Sequence, residues 1–407
     1  MNYKKYLEIF YEYLFLIFWL VVPFEEYVSA VPNILIGVLL AIYLVVFKKN
    51  QFKSLFKNKS YIVWLGFVLY IYLIAVFENR VSEDFFILKK LLLPVIIVLL
   101  GINVSNFNKC KLWFIGGTVL SVLISFIGVL KYWFSENNFN FTSGDFINQI
   151  LVSERIYIGF CVAISLVFLL ELFKNNKEIK VKVLCLVLIS LLLSFCFIIA
   201  ARIAIVCIVY ILILFFLSLE SVKIKFWSII SFIMFIGIFF MLNKNLTNRF
   251  FHSDNKYHIS YYEKVSQQEP RVLIWSCAYG IFKNNFNPFL GNGFYDVKSQ
   301  LVNCYNSNID VNKKRNWYVK RSFNSHNQYI DFLLSSGWIG IVLFLLILYL
   351  MLTISRISFY TLSLLGSVML ILLIENIFHR QIGCYLFSLV WISLLKNRNV
   401  KLEFKKI

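Results

Sequence analysis

The chain is short of what a soluble protein of 407 residues needs: only 15% of its residues are charged. Soluble domains carry about 25%, so a mostly water-exposed surface is excluded. Glycine (16) and proline (5) are scarce, which leaves few turns and lets apolar runs continue as regular helices. There are four histidines. No Asp-x-Asp motif or tight His/Cys cluster occurs, and His252 and His258 are too isolated to define a zinc site, so no metal is expected. Acidic residues are few, 21 against 40 basic.

What is present is apolar: 60% hydrophobic residues, with a mean hydropathy of +0.76. The apolar runs are continuous and helix-length rather than short and alternating, which excludes a barrel. The expected fold is an all-α polytopic membrane protein. The formal charge of +19 does not point to nucleic acid, because the basic residues sit in short loops, where the positive-inside rule places them.

Twelve spans are expected: Phe10–Val22, Pro32–Phe47, Tyr61–Phe77, Ile87–Gly101, Leu112–Phe134, Arg155–Phe173, Val181–Ile199, Arg202–Leu219, Phe226–Leu242, Ile330–Thr353, Phe359–Ile374 and Ile382–Leu395. The first reads as an uncleaved span, since no small-residue cleavage site follows it. The first two suit a tight hairpin around Pro23-Phe24-Glu25-Glu26. The chain thus divides into spans 1–9 (1–242), one long loop (243–328), and spans 10–12 with a tail (329–407).

Basic loops alternate with acidic ones. Lys48 and Lys49, Lys109 and Lys111, Lys174 and Lys177, and Lys223 and Lys225 fall on one side; Glu25, Glu26, Glu78, Glu83 and Glu154 fall on the other. Both termini are then cytoplasmic and the long loop is outside. That loop carries twelve Lys/Arg against five Asp/Glu, but it exceeds about 60 residues, so its charge does not count toward topology. Five cysteines lie inside spans and read as packing residues. Cys277 and Cys304 share the loop and could pair in an oxidising compartment.

The long loop holds the polar signals. Pro270 suits a first helical position, placing Arg271 in the first turn of a helix with Trp275 one turn on. A helix N-terminus with a guanidinium suits an anion; a surface arginine paired with Glu269 is the plainer alternative. Arg202 opens the eighth span and Arg155 the sixth, at one expected depth. They could share an anion, or snorkel. His326, beside Asn327 and ahead of Gly337 and Gly340, could take a proton from a hydroxyl, or be an ordinary loop histidine. The glycines are expected to let the helix pack closely beneath the site. Tyr257, Tyr261, Tyr262, Trp275, Trp317, Tyr318 and Phe323 suit sugar rings or a membrane-interface belt alike. Glu375, His379 and Arg380 end the last hairpin, binding ligand or pairing with one another.

His326-Asn327, nine residues, then Gly337-x-x-Gly340 resembles the signature of the O-antigen ligase and O-antigen polymerase superfamily. Arg271-x-x-x-Trp275 followed by Pro288-Phe289-Leu290-Gly291-Asn292-Gly293 is similar to the stretch opening that family's large periplasmic loop. Arg202 lies where the family has a span-opening arginine, although Ala201 stands where serine is frequent. The resemblance implies a C-type glycosyltransferase architecture in the bacterial inner membrane, its active site facing the periplasm. It implies an inverting enzyme without metal or cofactor, taking an undecaprenyl-diphosphate-linked glycan as donor and lipid A–core or another glycan as acceptor.

By the same resemblance Arg202 and Arg271 would hold the diphosphate and His326 would act on the acceptor hydroxyl. Arg155, Asn327, Trp275 and Arg380 are added as substrate-binding candidates. A ligase is favoured over a polymerase on the completeness of the His/Arg pattern. A protein O-oligosaccharyltransferase is a third variant. A transporter would need charges at mid-membrane, whereas the ionisable residues cluster at one end of the spans.

Overall fold

The computed structural model describes residues 3–136, 144–242, 269–354 and 357–403. His252, His258, Tyr257, Tyr261 and Tyr262 lie outside them. Among the described residues the regular structure is all helical. The helices are α1 (Tyr3–Val21), α2 (Ala30–Val46), α3 (Lys49–Phe56), α4 (Lys59–Phe77), α5 (Val81–Ile102), α6 (Phe107–Glu136), α7 (Gly144–Ile150), α8 (Arg155–Asn175) and α9 (Ile179–Ile198). Then come α10 (Arg202–Leu217), α11 (Val222–Leu242), α12 (Pro270–Asn284), α13 (Phe294–Asn308), α14 (Asn312–Arg321), α15 (Gln328–Ile354), α16 (Phe359–Leu372) and α17 (Gln381–Glu403).

Each of the twelve expected spans coincides with a helix. By length and hydropathy, seven helices among the described residues can cross a membrane, or eight if the bent pair α2–α3 counts as one. The chain is a helical polytopic membrane protein. Two of the expected spans outside this count are short helices. At 1.5 Å per residue, the 16 residues of α10 and the 14 of α16 are shorter than a hydrocarbon core of about 30 Å.

The bundle is organised around α8. Its first sixteen residues, apart from Ile156, are all buried, as expected of a helix that is apolar all round. It packs against α6, α9, α10, α16 and α17. Gly159 lets α10 come close, since a Cβ there would stand 2.6 Å from Ala204 Cβ. Gly159 is one turn below Arg155 and Ala204 two residues below Arg202, so both arginines open neighbouring helices at one level. The expected hairpin forms at Val22–Phe24, and α1 packs on α2.

Between α11 and α15, helices α12, α13 and α14 build a smaller core of their own. Ile274, Ile281, Leu301 and Tyr305 fill it, and Leu334 of α15 closes it from below. Cys277 and Cys304 form a disulfide within this core, joining α12 to α13. The six other cysteines are free and buried.

This small core docks where α15 breaks. Gly337 has φ 68° and ψ −171° and interrupts the helix. Leu334 and Ser335 offer their carbonyls to the N–H groups of Asn292 (2.8 Å) and Gly293 (3.0 Å), and Trp338 N–H donates to Pro288 O at 2.8 Å. Tyr70 Oη bridges the break, donating toward Phe289 O (2.8 Å) and Ser336 O (3.0 Å). A Cβ on Gly291 would strike the Ser335–Ser336 backbone, and one on Gly337 the Phe289 carbonyl. Gly337 therefore breaks the helix rather than tightening its packing, and Gly291 lets a loop lie in the break; a Cβ on Gly340 would meet the Ser336 side chain, with Tyr70 of α4 3.5 Å away. Arg80 and Asp84 of the α4–α5 hairpin pin the other side. Arg80 donates to Asn292 O, and Asp84 accepts from Tyr295 N–H at 2.9 Å in the first turn of α13, where a carboxylate is favoured.

Candidate active site

His326 sits in the turn before α15 with φ 45°, a conformation that costs an L-residue about 1–2 kcal/mol. Strain of this kind persists only where the surroundings over-determine it. Here the N–H of His326 donates to Asn324 Oδ1 (3.1 Å), and Ser325 Oγ donates to Asn327 O (3.0 Å). Trp275 Nε1 reaches across from α12 to Ser325 O at 3.0 Å. The Phe323 ring lies 5.5 Å from the imidazole and packs in turn on Trp317 and Tyr318. These aromatics form the floor of the histidine turn.

The imidazole Nδ1 lies 3.2 Å from Glu375 Oε2. Burial pushes the Glu375 carboxyl up, but the His326 hydrogen bond and the nearby His326, Arg271 and Arg380 charges outweigh it and hold it below the usual carboxylate range. An ionised carboxylate only accepts, so Nδ1 is the donor here, and in the neutral imidazole that leaves Nε2 as the accepting nitrogen.

Glu375 is held by a series of cross-links between the start of α15 and the turn after α16. Asn376 Nδ2 donates to Ser325 Oγ (3.0 Å), Phe378 N–H to Gln328 Oε1 (3.1 Å), and His379 Nε2 pairs with Asp331 Oδ2 (2.8 Å). Gln328 Nε2 donates to the same Asp331 oxygen at 3.2 Å. Lys90 donates to the His379 carbonyl. Asp331 and Gln328 are fully enclosed. Glu375, His379 and Arg380 thus pair, but each with another element rather than with one another.

Arg271 donates through Nε (3.3 Å) and Nη2 (3.2 Å) to the carbonyl of Ile374, the residue before Glu375. Glu269 does not pair with Arg271: its carboxylate takes the Arg202 guanidinium instead. Burial and the neighbouring Arg202 lower the Arg271 pKa, opposed by Glu375 and Glu269. Arg202, Arg271 and His326, which are 124 positions apart at most in sequence, so fall along one line through Glu269 and Glu375.

The remaining candidates separate. Arg380 Nη2 bonds Glu154 Oε1 at 2.6 Å, and Glu154 N–H donates to Glu26 Oε2 at 2.8 Å. This group lies next to the first: Glu154 feels the charges of Glu375, His326 and Arg321. Arg155 is buried, with its N–H on Asn148 Oδ1 at 3.1 Å. Asn327 is a helix cap, its Oδ1 accepting from Tyr329 (3.0 Å) and Ile330 (3.1 Å). That is what asparagine does at an N-terminus. Among the described residues no group of three or more His, Cys, Asp or Glu is arranged to hold a metal ion.

Glu269 and Asp331 were missed as site residues. Asp331 had a signal: an acidic residue at the start of a long apolar run is costly and calls for a partner. Glu269 had none that local sequence could resolve, since both arginines are plausible partners.

A comparison with curated proteins finds no match. Residues 191–345 match the family model described as O-antigen ligase. That stretch contains Arg202, Arg271, Trp275, His326 and both glycines around the helix break. Over those residues the match supports the resemblance to the O-antigen ligase superfamily.

Proposed function

We propose that the protein is an inverting glycosyltransferase of lipopolysaccharide biosynthesis that moves an undecaprenyl-diphosphate-linked polysaccharide onto lipid A–core. The observation carrying this reading is the line from Arg202 through Glu269 and Arg271 to Ile374, Glu375 and His326. It links Arg202 and Arg271, by way of two carboxylates and the Ile374 carbonyl, to a histidine whose Nδ1 faces Glu375.

The donor diphosphate lies on Arg202 and Arg271, displacing Glu269. The acceptor hydroxyl attacks the anomeric carbon on the face opposite the diphosphate. The bond to the diphosphate oxygen breaks and its electron pair leaves with the phosphate, while His326 Nε2 takes the hydroxyl proton. The two guanidinium groups stabilise the departing charge, a role that usually dominates such catalysis. Glu375 holds the imidazole in place and offsets the charge it acquires. Arg380 and Arg155 border the same outer end.

The reaction faces the periplasm of the bacterial inner membrane, with twelve spans and both termini in the cytoplasm. Two observations support this side. The short loops follow the positive-inside pattern. Cysteines pair between α12 and α13 while those of the spans stay free, and disulfides belong to oxidising compartments.

The test is a gel of surface glycolipid from a deletion strain. Core without repeats is the expected outcome. Core bearing a single repeat would make the protein a polymerase instead. An unchanged ladder, with no second copy of the gene, would overturn both.

A further inference from the structure

We propose that α3 and the turns flanking it bind an anionic phospholipid headgroup, at the end of the bundle opposite the candidate active site. The proposal does not depend on the reaction above.

Helix α2 ends at Val46, and α3 leaves it at an angle of 113°. A helix bent that far from an apolar span lies across the end of the span rather than extending it. Its place is fixed. Leu55 is fully buried, and α3 packs on α4 and α5. Asn103 Nδ2 donates to Val46 O at 3.3 Å where α2 ends. Asn58 caps α4 directly after α3, its Oδ1 accepting from Ser60 N–H (3.0 Å) and Tyr61 N–H (3.3 Å).

The faces of α3 sort by chemistry. Lys49, Lys53 and Lys57 follow at four-residue spacing and so share one side. Phe52 and Phe56, at the same spacing, share the next side, toward Leu55. Phe47, Phe52 and Phe56 touch in series, with ring centroids 5.3 and 4.6 Å apart, and Phe56 reaches Tyr61 of α4 at 5.5 Å. Phe47 and Phe56 are nevertheless exposed, as are Lys49, Lys53, Lys57 and Lys59. Round the helix the order is thus buried anchor, aromatics, lysines, then Asn50 and Ser54. That is the order of an interfacial helix, whose rings enter the acyl boundary while its ammonium groups stand at the phosphates.

The charge is not answered within the chain. Five lysines fall between Lys48 and Lys59, and no Asp or Glu occurs between Glu26 and Glu78. Among the described residues none of the five pairs with a carboxylate. Lys48 also lies near enough to Lys396 for the two charges to repel. Glu12 is close to Lys396 as well, but its carboxylate accepts from Ser105 N–H at 3.0 Å. Lysines beside exposed rings call for a partner that brings negative charge and hydrocarbon together, which a phospholipid does and a free anion does not. Helix α4 has Lys59 at one end and Phe77 at the other, so about 30 Å separates this site from Arg80 and the loop it pins.

Native mass spectrometry of the delipidated full-length protein tests this, with phosphatidylglycerol and phosphatidylethanolamine of the same acyl chains as probes. Wild type should prefer phosphatidylglycerol. Lys49→Gln with Lys53→Gln and Lys57→Gln should weaken that binding by about 10²-fold, about fivefold for each lysine. Lys177→Gln with Lys180→Gln and Lys182→Gln takes the same charge from the loop before α9 and should leave the preference in place. On wild-type protein, a phosphatidylglycerol with a photoreactive headgroup should label the peptide spanning Lys49 to Lys57, and excess inorganic phosphate should not displace it.

Equal binding of the two lipids, equal loss in both triple variants, or displacement by phosphate overturns the site. If the α3 variant does not fold, the wild-type labelling decides by itself, and label confined to other peptides overturns the proposal. None of these readouts uses glycan transfer, so failure of the proposed reaction and failure of this site are told apart.

Discussion

Glu375 Oε2 accepts from His326 Nδ1 at 3.2 Å across 49 residues of chain, and the carboxylate is held there by neighbours on both sides. Ser325–Asn376 and Asp331–His379 flank it, and Arg271 grips the carbonyl just before it. Glu375→Gln should lower transfer by about 10²-fold or more, in the range of general-base effects. The protein should still insert. Single-turnover transfer from a purified lipid-linked donor measures it.

The same pair predicts a pH response of stability. The Glu375 pKa is depressed in the folded protein from an ordinary value of 4.5. A depressed carboxylate contributes stability that is fully present above its unfolded value and is lost as pH falls through its folded value. Thermal unfolding in detergent should thus drop below about pH 4.5 in the wild type and show a smaller drop in Glu375→Gln. Identical acid profiles would remove Glu375 from this role.

Arg271 uses two nitrogens on one carbonyl and stands beside the Arg202–Glu269 pair. Arg202→Ala and Arg271→Ala should each lower transfer by about 10²–10³-fold. Arg271→Lys should also be poor, because a point charge cannot reproduce the fork. Glu269→Gln should tighten binding of inorganic diphosphate by up to about fivefold, since one competing, partly buried carboxylate is removed. Titration calorimetry reads this directly, and weaker binding would count against an anion site here.

Gly337→Ala and Gly291→Ala should disrupt the docking of the Pro288–Gly293 loop into α15. Both positions have φ of 68°, and a Cβ at either would meet backbone. The strain of about 1–2 kcal/mol adds to the clash. Both variants are expected to lose folded protein by size-exclusion chromatography and thermal shift, unlike Gly37→Ala, where nothing lies within 4 Å.

Breaking the disulfide should loosen α12 rather than the spans. Cys277 and Cys304 are 27 residues apart, a loop whose closure is worth about 3–4 kcal/mol in the chain-entropy picture. Cys277→Ser is expected to expose α12–α13 to protease and to lower transfer by displacing Arg271 and Trp275. The helix bundle should keep its far-UV spectrum.

The sequence by itself determined the membrane class, the positions of the apolar helices, Pro270 as a helix start and the residue types of the candidate site. Those are local properties: apolar run length, capping residues, and charge between runs. Only the tertiary structure decided which groups meet. Glu269 goes to Arg202 across 67 residues and not to its neighbour Arg271, whose nitrogens instead reach Ile374 across 103. Asn327 turns out to cap a helix, and Gly337 to break one. Partners of buried charges are set by which helix ends arrive at the same level, and that depends on packing such as Gly159 on Ala204. The energy of such a contact belongs to two distant segments at once, so neither segment read alone contains it.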